Sequence, residues 1–287
     1  MEDFNISLYV PVYNGEKTIK KCLDGILNQT LLPRKILVIN DNSTDKTKEI
    51  LESYKDKIEI LENKKNLGIS LTRDIAVNHL KTEYVASVDA DVELDKNWLK
   101  IIYESLKKNN ATWVCGKMYE KYTQNPCNLW RSLRLKQHWG EKSILNPDLI
   151  FGCNTILKTS SLNTQTIYKN DGEYFKTNGD DNILTKYLRD NSHILYYESE
   201  AVCNHLLNDN YFTLSHRYWR YIFYGDGMKK RNFFKTIKNI FRQIKKTVKW
   251  SIEDFFKFRF GLIKVNFIIL YYFCKIDISV FKKIKYE

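Results

Sequence analysis

The sequence is poor in chain breakers. Of its 287 residues only 11 are Gly and 4 are Pro, which excludes collagenous and low-complexity chains. Its six cysteines, Cys22, Cys115, Cys127, Cys153, Cys203 and Cys274, include no Cys-x-x-Cys pair. That spacing argues against a zinc site and against a secreted disulfide framework. No stretch reaches the roughly 18–20 uninterrupted apolar residues of a membrane span. The best run, Val265–Cys274, is interrupted by Asn266. Met1-Glu2-Asp3-Phe4 is acidic and carries no signal-peptide pattern. A reducing cytoplasm is therefore the expected compartment.

What is present is a real core and a lopsided charge. Apolar residues make up 43% of the chain, enough to exclude wholesale disorder. The net charge is +12, but residues 1–205 hold 28 basic and 28 acidic side chains. Residues 206–287 hold 18 basic against 6 acidic and carry the whole excess. The split predicts two functional regions, over 1–227 and 228–287.

The first region alternates two periods. Ile6–Val10 and Lys35–Asn40 read as buried strands, Ile58–Leu61 as a short third and Tyr84–Val88 as a fourth. Between them Thr18–Gln29, a stretch ending near Tyr54, and a stretch through His79 show helical spacing. Strand–helix alternation of this length predicts an α/β fold, a Rossmann-like mostly parallel sheet with helices on both faces. In such sheets ligands bind at the carboxyl ends of the strands. Tyr13-Asn14, Asp41-Asn42-Ser43 and Asp89-Ala90-Asp91 all fall there. Further on, a helix over about 128–140, an extended stretch over 150–158, a helix over 180–189 and a strand over 193–198 are expected.

Asp89-Ala90-Asp91 places two carboxylates on one side of a strand end, hard oxygen ligands suited to Mn²⁺ or Mg²⁺ shared with a diphosphate. An Asp-rich turn capping the helix near Trp98 is the plain alternative. Four segments then line up in order. Ser7-Leu8-Tyr9-Val10-Pro11-Val12-Tyr13-Asn14, Ile39-Asn40-Asp41-Asn42-Ser43-Thr44-Asp45, Asn66-Leu67-Gly68 through Arg73-Asp74, and Tyr84 through Asp91 resemble the successive motifs of family 2 glycosyltransferases of the GT-A fold. The resemblance covers residues 6–95 closely and continues patchily to about 227.

That resemblance implies a nucleotide-sugar donor, most often UDP-linked. Pro11, Val12 and Tyr13 would wall the base, with Tyr13 stacking on it. Asp41 would accept the uracil N–H, Asn66 and Gly68 would shape the donor loop, and Arg73 would reach the base or the diphosphate. Asp89, Ala90 and Asp91 would lie against ribose and metal, with His205 as a third metal contact. In the family, the place of Gly179-Asp180-Asp181 carries Glu-Asp, whose Asp is the general base. Asp181 is thus the implied base and Asp180 an acceptor-side residue that departs from Glu. Tyr187 stands where the family has Arg. Phe151-Gly152-Cys153-Asn154 resembles the Gly-x-Asn segment near the acceptor and makes Asn154 an acceptor-site candidate. Each residue also has a bland reading: a surface aromatic, a helix cap, a solvated arginine, a structural histidine. No Gln-x-x-Arg-Trp motif of the processive members occurs, so a single transfer is expected.

The tail segment KKRNFFKTIKNIFRQIKKTVKW, residues 229–250, holds nine basic residues and no acid. Its Phe233, Phe234, Ile237, Ile240, Phe241, Ile244 and Val248 fall at helical spacing, a basic amphipathic helix. Three readings stand: an appendage that packs its apolar stripe, an attachment to the anionic inner face of the cell membrane, and nucleic-acid binding. The last lacks any accompanying motif and is the least expected. The sequence thus predicts an inverting, metal-dependent transferase acting on a glycan or lipid-linked saccharide at the membrane surface. The alternative is a non-catalytic GT-A-like module that binds through its tail.

Overall fold

The computed structural model describes residues 4–162, 179–225 and 233–286. They form two compact units, Met1–Lys121 with Gln137–Leu206, and Tyr122–Lys136 with Leu207–Glu287. The boundary expected at 227/228 lies among residues 226–232, outside the described residues, as do Lys229, Lys230 and Arg231 of the basic run.

The first unit opens with β1 (Ile6–Val12), α1 (Ile19–Leu27), β2 (Lys35–Asn40), α2 (Thr47–Glu52), β3 (Glu59–Glu62), α3 (Ile69–His79) and β4 (Tyr84–Val88). These are the alternating elements the periodicity predicts. All seven residues of β1 and all five of β4 are buried, because helices cover both faces of the sheet. Ile6, Leu8, Val10 and Val12 pack with Ile19, Cys22, Leu23 and Ile26 of α1. Tyr9 points the other way, into a second cluster with Leu37, Ile39, Ala76 and Val77. The period of two along a strand decides which side chain joins which layer.

The unit continues with β5 (Val92–Leu94), α4 (Trp98–Lys108) and β6 (Trp113–Glu120), and after the second unit's first helix, α5 (Pro126–Arg134), with β7 (Ile144–Leu145), β8 (Asn154–Lys158), α6 (Asp180–Asp190) and β9 (Leu195–His205). The sheet order is β3-β2-β1-β4-β8-β6-β9-β5, with β7 on β9. The expected parallel arrangement holds for β3 through β4. Beyond β4 the sheet is mixed, since β8 enters antiparallel to both β4 and β6 while β6 and β9 run parallel. The strand expected over 193–198 extends through Ala201–Asn204 to His205 as one element.

In the second unit α5 is shorter than the helix expected over 128–140. Asn125 accepts from the Cys127 amide and Pro126 occupies the first turn, a start signal that fixes the helix two residues earlier. With α7 (Tyr211–Gly225), α8 (Phe233–Phe256) and α9 (Phe260–Tyr286) it makes an all-helical body; α8 and α9 lie in the expected helical tail, whereas α5 and α7 belong to the stretch expected within the first region. α9 packs against α5, α7 and α8 around Trp130, Leu214, Tyr218, Trp219, Val265 and Phe273. Among the described residues no helix is long and apolar enough to cross a membrane.

Candidate active site

β2, β1 and β4 are neighbours in the sheet, so Asp41, Tyr13 and Asp89 leave their strands side by side. Pro11 and Val12 are buried in β1, and Tyr13, 51% exposed, stands just beyond it. The loops after β1 and β2 are laced together. The Asn14 amide donates to Ser43 Oγ at 2.9 Å, the Gly15 amide to Thr47 Oγ1 at 2.8 Å, and the Thr44 amide to Asn14 Oδ1 at 2.8 Å. Asn14 adopts φ 52°, a left-handed turn that asparagine tolerates better than most residues.

Asp41 is only 3% exposed. Its Oδ1 accepts from the Leu67 amide and from Asn63 Nδ2, and its Oδ2 from the Gly68 amide, each at 2.8 Å. Asn66 Nδ2 donates to the Asp41 carbonyl at 3.4 Å. The carboxylate therefore ties the Asn66–Gly68 turn to the end of β2. Gly68 has φ 85°, a conformation strained for any side chain with a Cβ.

Arg73, on α3, is buried. Its Nη2 donates to Asp89 Oδ1 at 2.7 Å and to the Gly152 carbonyl at 3.2 Å, and its Nη1 donates to Asp180 Oδ2 at 2.5 Å. One guanidinium thus bridges the end of β4 and the first residue of α6. A Cβ on Gly152 would come within 2.9 Å of Arg73 Nη1, so the absence of a side chain there lets the arginine lie flat against the backbone. A cavity of about 10 Å³ adjoins the bridge, lined by Tyr9, Ser87, Thr155, Asp180 and Asp181 among others. That is room for a single water molecule at most.

The electrostatics follow from this crowding. Burial pushes the Asp89 carboxyl above its ordinary value; Arg73 pulls it down, and Asp91 pushes it up again. The Asp181 carboxyl is pushed up to about 6, first by burial and then by the neighbouring Asp180 charge, with Arg73 opposing. Asp180 and Asp181 open α6, where the helix dipole favours negative charge.

Asp91 and His205 meet at the junction of β5 and β9. The Leu206 amide donates to the Asp91 carbonyl at 2.7 Å, and His205 Nε2 lies 3.4 Å from Asp91 Oδ2. His205 Nδ1 faces Glu120 Oε1 at 3.0 Å. Burial lowers the imidazole's basicity, but the Asp91 and Glu120 carboxylates outweigh it and raise its pKa to about 9. The residues fit a shared rather than a closed metal site. Among the described residues no three His, Cys, Asp or Glu side chains are gathered to hold an ion by themselves. Adjacent ligands of an octahedral ion stand about 3 Å apart, and Mg²⁺-type ions usually complete their shell with water and substrate phosphates. A metal-bound imidazole usually has its other nitrogen held by a carboxylate, as Glu120 holds His205 here.

The fold brings Arg73, Asp89, Asp180 and Asp181 together, and sets Asp91 beside His205. It places Asn154 elsewhere: that side chain is 0% exposed, accepts from Trp98 Nε1 at 3.3 Å and sits under Gly116. Ala90 is partly buried between the two aspartates. Tyr187 packs against the Leu184–Leu188 cluster. Glu120 was invisible to sequence reasoning. It ends β6 as His205 ends β9, and only the parallel register Glu120↔His205 pairs them.

An open α/β sheet with acidic strand ends and a carboxylate-headed helix has the GT-A architecture. The family model for Glycosyl transferase family 2 matches residues 7–164, and the chain belongs to that family. It is 33% identical over 120 residues to glycosyltransferase GlyA of Streptococcus pneumoniae, covering 41% of this chain and 17% of the relative. It is 30% identical over 126 residues to the UDP-Glc:alpha-D-GlcNAc-diphosphoundecaprenol beta-1,3-glucosyltransferase WfgD of Escherichia coli, covering 44% of this chain and 49% of the relative. The match therefore spans less than half of either relative's length. Among solved structures, the mannosyltransferase PcManGT of Pyrobaculum calidifontis, in complex with GDP-Man and Mn²⁺, superposes with a TM-score of 0.59 at 14% identity, covering 92% of this chain and 85% of that one. The shared architecture is the fold alone.

Proposed function

We propose that the protein transfers one sugar from a nucleoside-diphosphate sugar, UDP-linked as in the E. coli relative, to a glycan or lipid-linked saccharide at the cytoplasmic face of a membrane. The observation that carries this reading is the Arg73 bridge. It holds the donor-side Asp89 and the base-bearing start of α6 on one guanidinium.

The roles follow from position. Pro11, Val12 and Tyr13 wall the base, and Tyr13 offers an exposed ring for stacking. Asp41 shapes the Asn66–Gly68 turn that borders it. Asp89, Asp91 and His205 would hold Mn²⁺ or Mg²⁺, which when bound neutralises charge on the departing diphosphate. Asp181, its carboxyl raised toward neutrality, is suited to general-base work. It accepts the proton of the acceptor hydroxyl as that oxygen bonds to the anomeric carbon. The bond from that carbon to the diphosphate oxygen breaks, and its electron pair leaves with the nucleotide. Attack opposite the leaving group inverts the anomeric centre. Asp180 positions Asp181 by fixing the first turn of α6 to Arg73.

A thermal-shift panel of UDP, GDP, dTDP and CDP, with and without Mn²⁺, tests the donor site. A ligand of the native state raises the melting temperature by linkage. The expected result is a metal-dependent rise with one nucleotide, UDP first, absent in Asp91→Ala. No rise with any nucleotide overturns the reading.

A further inference from the structure

Helix α8 is inside out. The side chains it buries are Thr236, Asn239, Gln243, Thr247 and Asp254, all polar. Of its large apolar residues, Phe241, Ile244, Val248, Ile252 and Phe255 are exposed and Phe234 is 78% exposed, while Ile237, Ile240 and Trp250 are half-buried. Lys238, Arg242, Lys245 and Lys249 are exposed as well. At about 100° per residue these sets fall on three separate sides of the helix: polar and buried, apolar and open, basic and open.

The rotation is built in. Tyr218 Oη donates to Gln243 Oε1 at 2.6 Å. Asp254 accepts from Arg134 Nη2 at 2.8 Å and from Asn266 Nδ2 at 3.0 Å, and pairs with Arg259 at 2.8 Å. Turning the apolar stripe inward would break every one of these. The buried face is also imperfectly satisfied: Thr236 Oγ1, Asn239 Nδ2 and Gln243 Nε2 have no hydrogen-bond partner among the described residues. Burying unpaired polar atoms while phenylalanines face water is unfavourable twice over. Such an arrangement makes sense when something apolar covers the open side.

We infer that this side of α8 docks flat on an anionic lipid bilayer. Charge selects the occupant. Residues 229–250 contain nine basic residues and no acid, so a second copy of the chain would set like charges against each other, whereas anionic headgroups complement them. An apolar stripe beside a basic side is the pattern of a helix lying in the interfacial plane. The turn from α8 to α9 adds Phe256, 74% exposed, and Phe258, 82% exposed. The helix rests on the bilayer and does not cross it, in keeping with the lack of any spanning helix among the described residues. Docking depends on the reading of a membrane-surface acceptor only for its purpose.

The test is cosedimentation of the full chain with vesicles of phosphatidylcholine alone and of phosphatidylcholine mixed with phosphatidylglycerol, at low and raised salt. Nucleotide thermal shift is measured on the same samples. The wild type is expected to partition onto the anionic vesicles, less so at raised salt. Phe241→Ser with Val248→Ser, and separately Lys245→Glu with Lys249→Glu, are each expected to weaken partitioning by about tenfold or more. Both pairs are surface changes and should leave the nucleotide response intact. Absence of partitioning while nucleotide still raises the melting temperature overturns the docking inference and spares the transferase reading. Unchanged partitioning in the serine variant overturns it too. So does a self-associated wild type that the serine variant renders monomeric, or tighter capture by duplex nucleic acid than by vesicles.

Discussion

Arg73 Nη1 and Asp180 Oδ2 are 107 residues apart in sequence and 2.5 Å apart in space. Both side chains are nearly inaccessible to water. The same guanidinium reaches Asp89, so the end of β4 and the first turn of α6 share one cation. The short Asp180 side chain reaches the arginine where Gly152 leaves the approach open.

A buried ion pair broken on one side leaves a desolvated charge. Asp180→Ala should therefore destabilise the protein by about 3 kcal/mol, read as a clear drop in the denaturation midpoint. Turnover should fall as well, because the first turn of α6 loses its tie to α3. Asp180→Asn, which keeps an acceptor for Arg73, should retain more stability than the alanine variant. Equal midpoints for the two would show that the charge pairing contributes little.

Asp181 links rate and stability through its raised carboxyl pKa. A base must be ionised to act, so kcat/KM should climb with pH through about 6 and level off above it. Asp181→Asn should remove that limb together with at least about a hundredfold of the rate. The stability effect has the opposite sense. A carboxyl whose folded value lies above its unfolded value disfavours the fold once ionised, and the penalty grows as pH rises from its ordinary range through about 6. Asp181→Asn should consequently melt higher than wild type at neutral pH, and the gain should shrink in acid. Because the group is partly exposed, solvent screening limits the gain to a few degrees. A variant that melts lower at neutral pH would contradict the assignment of burial as the cause.

Glu120→Gln keeps the size of the side chain and an acceptor for His205 but removes the charge that orients the imidazole. Removing the group that orients a metal-bound imidazole costs about 10–100-fold in metal affinity. Titrating Mn²⁺ against the nucleotide-induced thermal shift should show its midpoint moving by that factor, with the metal-free melting temperature little changed. An unmoved midpoint would place His205 outside the metal site.

Much of the first unit was legible in the chain. Continuous apolar runs of strand length such as Lys35–Asn40, bounded by turn residues, read as strands buried on both faces, and their alternation with amphipathic helices points to the parallel half of the sheet. The acidic strand ends were visible for the same reason, since a polar cluster directly after a buried strand lies at the sheet's carboxyl edge. Register was not legible. The pairing of Glu120 with His205 and the burial of Asn154 depend on which strand lies beside which, and β8 and β9 arrive from far along the chain. The tail shows the limit most clearly. Its helical period was plain, but period does not say which side is buried.

The sequence by itself determined the alternating elements of residues 6–88, the family motifs and the positions of the acids along the chain, because local propensity and hydrophobic period act over a few residues. Tertiary structure alone decided that Arg73 binds Asp89 and Asp180 at once, that Glu120 backs His205, and that α8 turns its phenylalanines outward. Those outcomes depend on contacts between segments distant in sequence, where a single buried hydrogen bond, such as those to Asp254, can set the rotation of a whole helix.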